Sequence, residues 1–279
     1  MKKRGKTSLQ MLKKNFASRS RRQLLKLGQS RGQVTIFIIV AIIIIVLGVL
    51  LYLFFPQIQT TLGLTDRNPS AFMQTCMGDE IKETVKILSL QGGSLNPKNY
   101  FLYDNERIEY LCYTNEYYIP CVVQQPILKQ HIENEIKNNI ESKTDSCFES
   151  LKNSFESQGY IVNFNRGETN VELLPQRIIV TFEKDLSLTK GDTETYDQLD
   201  VVINNNLYEL ISISNSILNM ESKYGDSETT IYMNYYHDLK VEKKKQSDGT
   251  TIYILTNRDT GDKFQFASRS IAWPPGISP

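Results

Sequence analysis

The sequence predicts an α+β protein: one N-terminal transmembrane helix followed by an exported domain of about three amphipathic helices packed with antiparallel sheet. Three observations predict it. Val34 to Phe55 is apolar except for Thr35 and carries no charge. Beyond it, apolar residues recur at spacings of three and four in three stretches. Around those stretches the period switches to two, with glycine, asparagine and aspartate at the joints.

The apolar run comes first. At ~1.5 Å per helical residue it reaches ~33 Å, enough for a bilayer core. Residues 1–33 hold eleven Lys or Arg and no acid, and the first carboxylate of the chain is Asp66. The positive-inside rule then keeps the N-terminus cytoplasmic and sends the chain beyond Pro56 across the membrane. The net charge of +1 hides an asymmetry: the residues after 33 carry 21 Lys or Arg against 31 Asp or Glu, a net of −10. So acidic a body argues against nucleic acid as a partner. The expected layout is a basic cytoplasmic leader (1–33), the transmembrane helix (34–55), a polar linker (56–69) and an extracytoplasmic α+β domain (70–279). That domain has room for a subdivision into 70–159 and 160–279.

Two readings of the leader stay open, a basic amphipathic helix lying on anionic headgroups and a basic tail that only sets topology. Ser20-Arg21-Arg22-Gln23-Leu24-Leu25-Lys26 looks like a twin-arginine export signal, but a chance pair in an arginine-rich tail is the favoured reading, since the apolar run is very hydrophobic and no A-x-A-like cleavage site follows it.

In the exported part, Ser70 is the expected cap of a helix to about Leu90, with Met73, Cys76, Met77, Ile81, Val85 and Leu88 on one stripe and Gln91-Gly92-Gly93 as its stop. Asn99 to Val123, rich in Tyr, Ile and Val, reads as two or three short strands with a hairpin near Thr114-Asn115-Glu116. A second helix runs from about Ile127 to Gln158, with Ile132, Ile136, Ile140, Cys147, Leu151 and Phe155 inward. Glu133, Glu135, Lys137, Glu141, Lys143 and Glu149 form its solvated face. Residues 160–165, 170–174, 177–188 and 195–203 alternate as strands. Asn204-Asn205-Asn206 caps a third helix, Leu207 to Tyr224, which Gly225 ends. Residues 229–236, 239–245, 251–256 and 264–267 read as further strands, with Ser247-Asp248-Gly249 as a hairpin turn.

All four cysteines, Cys76, Cys112, Cys121 and Cys147, follow the apolar run, and an even count in an exported domain favours disulfides. Three pairings are open. Cys76 and Cys147 both sit on inner helical stripes, and Cys112 and Cys121 flank a hairpin, so Cys76–Cys147 and Cys112–Cys121 are expected.

No catalytic constellation emerges. The two histidines are His131 and His237; His131 stands four residues before Glu135 and reads as a solvated helix pair rather than a metal site. There is no H-E-x-x-H, G-x-S-x-G, P-loop or dinucleotide glycine pattern. No catalytic residue, metal or cofactor is expected. Tyr100, Tyr103, Tyr110, Tyr113, Tyr117 and Tyr118 are the candidate sugar- or peptide-binding surface, since aromatic faces with polar tips suit interfaces; half-buried strand residues are the plainer reading.

Arg31-Gly32-Gln33 sits directly against the apolar run and resembles the class III signal peptides of archaeal type IV pilin-like proteins. The resemblance implies cleavage between Gly32 and Gln33 on the cytoplasmic side, with the apolar helix kept as anchor. Two departures stand out. Phe37 occupies the place where pilins carry an acid, and Pro56 interrupts the helix that pilins continue. Residues 31–37, the Gln91-Gly92-Gly93 turn and Pro274-Pro275-Gly276 are also similar to uncharacterised single-span archaeal membrane proteins, a likeness that implies an address and no activity. The expected function is a single-pass, membrane-anchored extracytoplasmic protein, non-catalytic, with a structural, adhesive or envelope-assembly role. Its partners would be the lipid bilayer and other envelope proteins or surface polymers. The alternatives are a minor pilin-like subunit and a membrane-tethered hydrolase, the latter requiring a deep pocket with convergent carboxylates or His131 beside acids.

Overall fold

The structure, a computed structural model, describes residues 38–47, 68–165 and 167–272. It corrects the expected fold class. Among the described residues no helix is long and apolar enough to cross a membrane. Residues 38–47, inside the apolar run, form helix α1, exposed throughout. The rest of 34–55, the leader 1–33 with Gly32 and Gln33, and linker residues 56–67 lie outside the described residues. Residues 1–58 and 59–279 are separate compact units, and all that follows concerns the second.

That unit is strand-rich. In order it runs α2 (Pro69–Leu90), β1 (Tyr100–Tyr103), β2 (Glu106–Tyr113), β3 (Val122–Val123), α3 (Leu128–Ser157), β4 (Ile161–Phe164), β5 (Glu168–Leu174), β6 (Arg177–Glu183), β7 (Leu186–Lys190), β8 (Asp192–Tyr196), β9 (Leu199–Asn204), α4 (Leu207–Tyr224), α5 (Thr230–Tyr235), β10 (Leu239–Lys245), β11 (Thr250–Asn257) and β12 (Lys263–Arg269). The largest sheet has the order β1-β2-β12-β11-β10, with β3 on β2. Two three-stranded sheets, β5-β6-β9 and β4-β7-β8, stand beside it. The large sheet is mixed rather than antiparallel, because β12 runs parallel to β2, with Ser268 opposite Cys112. Most of the domain lies between these two strands, so no hairpin fixes their relative direction.

The three long helices form where apolar spacing put them. Their stripes meet in one buried cluster that runs from Met73 through Ile136, Leu151 and Leu210 to Phe266. α2 packs on α3 and on β9, and α4 lies over β2, β11 and β12. Asn68, not Ser70, caps α2: its Oδ1 accepts the Ser70 N–H at 2.9 Å, with Pro69 in the first turn. Gly225 ends α4 at φ +74°, a conformation glycine adopts without steric cost.

Several strand expectations are corrected. Residues 177–188 and 195–203 each split in two because their halves belong to different sheets. At the first break Lys184 turns inward, its Nζ 4.2 Å above the Phe148 ring and 3.3 Å from Asp145 on α3. Residues 230–235 form the short helix α5 instead of a strand. Tyr232 and Met233 pack on the core while Ile231 and Tyr235 face solvent, and the Glu228 carboxylate accepts the Thr230 N–H. The tight hairpin lies at Asp104-Asn105, both at positive φ, and not at residues 114–116, which belong to the wider loop between β2 and β3.

Candidate functional site

Both expected disulfides are present. Cys76–Cys147 ties α2 to α3, and Cys112–Cys121 closes the β2–β3 loop. No free cysteine is left among the described residues.

The six tyrosines do not share one face. Tyr110 is 6% exposed and belongs to a small cluster with Ile108, Ile252 and Ala267, against which Tyr103 and Tyr113 pack. Tyr100 points the other way on β1, below the Arg107 guanidinium. Tyr117 and Tyr118 are exposed on the disulfide-closed loop, their ring centres 6.4 Å apart.

The solvated face expected on α3 is corrected at Glu133, Glu135 and His131. Glu133 accepts the Leu173 N–H of β5 at 2.8 Å, and Glu135 accepts the Leu95 N–H at 2.9 Å. The His131 Nε2 lies 2.8 Å from the Ser94 Oγ, which donates to the Glu109 Oε2 at 2.5 Å. Gly92 and Gly93 make this meeting possible. Both have positive φ, and a Cβ on Gly92 would lie 2.9 Å from the Glu109 Cβ. Burial raises the Glu109 carboxyl above the ordinary glutamate value against the pull of its hydrogen bonds to Ser94 and Gln125.

A serine, a histidine and a glutamate in contact invite comparison with a hydrolytic triad. There, histidine stands between serine and acid and takes the serine proton. Here the serine stands in the middle. Its one proton goes to Glu109, so its oxygen accepts from His131. Ser94 is also only 5% exposed, and it lines none of the surface cavities described below. The cluster fastens the end of α2 to β2 and α3.

The sequence reading assigned no role to a buried acid on α4. Glu221, 2% exposed, accepts from the Tyr253 hydroxyl and, at 2.9 Å, from the Ser268 Oγ. Burial raises its carboxyl above the ordinary value although both hydrogen bonds oppose this, and burial followed by the Glu221 charge drives the Tyr253 hydroxyl upward as well. Spacing alone gives a signal, since Glu221 follows Ile217 by four.

Three cavities lie in a row on the surface. The first, about 560 Å³, is lined by Lys82, Lys86 and Lys263 beside Val85 and Ile203. The second, about 670 Å³, lies between the β5–β6 turn, Asn204 to Asn206, and the β11–β12 turn. The third, about 260 Å³, has walls of Tyr208, Leu210, Ile213, Tyr236 and Leu239. The first two share Asn204, Asn205 and Asp262; the last two share Asp238 and Asn257. Each divide is a hydrogen-bonded pair: Asn205 donates to Asp262 at 3.0 Å, and Asn257 to Asp238 at 3.0 Å.

No protein-family model, curated protein or solved structure matches the chain. What it can do follows from its own side chains. Among the described residues no group of three or more His, Cys, Asp or Glu side chains could hold a metal ion. The row of cavities gathers amides, carboxylates and aromatic rings, which suits reversible binding.

Proposed function

We propose that this chain is a non-catalytic extracytoplasmic protein held at the cell membrane, with a structural, adhesive or envelope-assembly role exercised by binding. One observation carries the reading: all four cysteines are paired in two disulfides. Such bonds form and persist in oxidising compartments and are rare in the cytosol. The uncharged apolar run 34–55, preceded by a stretch whose charged residues are all basic, supports the same address. The closed Ser94 cluster supports a binding role over hydrolysis.

The test has two parts. Protease added to intact cells should digest the domain, and the purified full chain in detergent should co-sediment with isolated envelope material. A domain that intact cells protect, but that a cytosolic thiol probe labels, would refute the location. Absence of co-sedimentation would refute the role.

A further inference from the structure

We infer that the row of three cavities is a binding groove for an oligosaccharide strand. The inference rests on the reading of the chain as an envelope-binding protein and gives that reading a site and a ligand class.

The middle cavity carries the argument. Its lining is dominated by side-chain amides and carboxylates, with Arg177 the one basic residue among them. Neighbouring hydroxyls of a sugar each donate and accept, and amides beside carboxylates answer both demands. The side chains of Gln176, Arg177, Asn204, Asn206 and Asp259 line this cavity and hydrogen-bond to no other described residue. The divides between cavities are held in advance. Asp262 accepts from Asn205, from the Asn206 N–H at 2.9 Å and from the Thr260 hydroxyl at 2.9 Å. Asn257 accepts the Asp259 and Thr260 N–H groups while donating to Asp238. A wall already ordered loses little entropy when a ligand docks.

The flanking cavities extend the fit. The third sets Tyr208 and Tyr236 about a slot lined also by Leu210, Ile213 and Leu239 and, at its polar margin, by Asp238 and Asn257, and an aromatic face stacks on the C–H face of a pyranose. Tyr236 is 44% exposed, so its ring is reachable. The first cavity places Lys82, Lys86 and Lys263 at the opposite end, where the carboxylate of a uronic acid would be received. The two larger volumes lie within the ~300–1,000 Å³ of small-molecule sites. A basic peptide is the competing occupant. It would use Asp238, Asp259 and Asp262, but it meets three lysines at the far end.

The experiment titrates linear hexasaccharides of glucose, mannose, N-acetylglucosamine and glucuronic acid into the full chain in detergent, with pentalysine as comparison, and reads the heat of binding. At least one hexasaccharide should saturate. Asn204→Ala, whose side chain makes no other hydrogen bond, and Tyr236→Ala, whose ring meets the exposed Tyr235 edge-on, should each weaken it roughly tenfold with thermal stability nearly unchanged. Lys82→Gln with Lys86→Gln should weaken only the glucuronic acid hexamer. The inference is overturned if no hexasaccharide binds, if Asn204→Ala and Tyr236→Ala bind as the parent does, or if pentalysine binds and is the ligand those two changes weaken. Co-sedimentation with envelope material separates the two failures: if it persists without hexasaccharide binding, the groove is wrong and the role stands.

Discussion

Gln74 on α2 pairs both ends of its side-chain amide with one residue of β9. Its Oε1 accepts the Val202 N–H at 2.9 Å, and its Nε2 donates to the Val202 carbonyl at 3.1 Å. β9 is an edge of the β5-β6-β9 sheet, and the opposite edge is treated in a similar way, with Glu133 on α3 accepting the Leu173 N–H. A helix side chain thus occupies backbone groups at each edge that another chain could otherwise pair with. Gln74→Ala should cost ~1 kcal/mol, as one lost hydrogen-bonded pair at a half-exposed site does. Glu133→Ala should cost more, ~1–3 kcal/mol, because it strands the N–H of the buried Leu173. Amide hydrogen exchange checks the assignment: Val202 should lose protection in the first variant and Leu173 in the second.

The two disulfides differ in how much chain they close. Cys76 and Cys147 are 71 residues apart, Cys112 and Cys121 only 9. On the loop-entropy account, removing the first costs ~4 kcal/mol and removing the second ~2.5 kcal/mol. Denaturant titration of Cys76→Ala/Cys147→Ala and Cys112→Ala/Cys121→Ala should keep that order. The first pair joins the inner faces of α2 and α3, so its loss should lower the stability of the whole domain. The second should chiefly loosen the loop that carries Tyr117 and Tyr118.

Ser94→Ala tests whether the Ser–His–Glu contact is a fastener. It removes the donor to Glu109 and the acceptor for His131, and should destabilise the domain by ~1–3 kcal/mol. A serine-reactive fluorophosphonate should fail to label Ser94 in the folded parent chain. Labelling would show the hydroxyl to be both reachable and activated, and would reopen the hydrolase reading. Gly92→Ala should be as damaging by another route, since it forces a side chain into positive φ and against the Glu109 Cβ.

Much of this architecture is legible in the chain because helices are written locally. The stripes of α2, α3 and α4 and the Gly225 stop depend on neighbours within four residues, and the Cys76–Cys147 bond follows from two such stripes facing each other. The Asp248-Gly249 hairpin is equally local. What resists reading is set at long range. Nothing near β2 announces that β12 will lie parallel to it, and nothing in residues 177–188 says that their halves join different sheets. α5 deceives because Ile231, Met233 and Tyr235 alternate as a strand would, while its short length hides the helical period. At the candidate site, Asn204 to Asn206 were visible only as a helix cap. Their neighbours Gln176, Tyr236 and Asp262 come from distant turns that only the fold brings together.

Glu221 gives a pH prediction with a definite sign. Its folded carboxyl titrates above the ordinary glutamate value, so the folded state holds this proton more tightly than the unfolded chain does. Its contribution to stability is full below the unfolded value and is lost as pH rises through the raised folded one. Asp226, Glu228 and Glu242 shift downward, so they contribute in the opposite sense and lose stability as pH falls. Whole-protein melting therefore mixes the two, and a difference measurement is needed. Glu221→Gln keeps an acceptor for the Tyr253 hydroxyl and an amide for the Ser268 oxygen, without a charge to bury. Its melting temperature relative to the parent should rise between the ordinary glutamate pH and neutrality, and the two should converge in acid. Tyr253→Phe should act the other way, stranding one carboxylate oxygen at a cost of ~1–3 kcal/mol at neutral pH and raising the Glu221 carboxyl further. If the Glu221→Gln difference were flat across that range, the buried carboxylate would carry no titration cost, and the desolvation assigned to its site would be wrong.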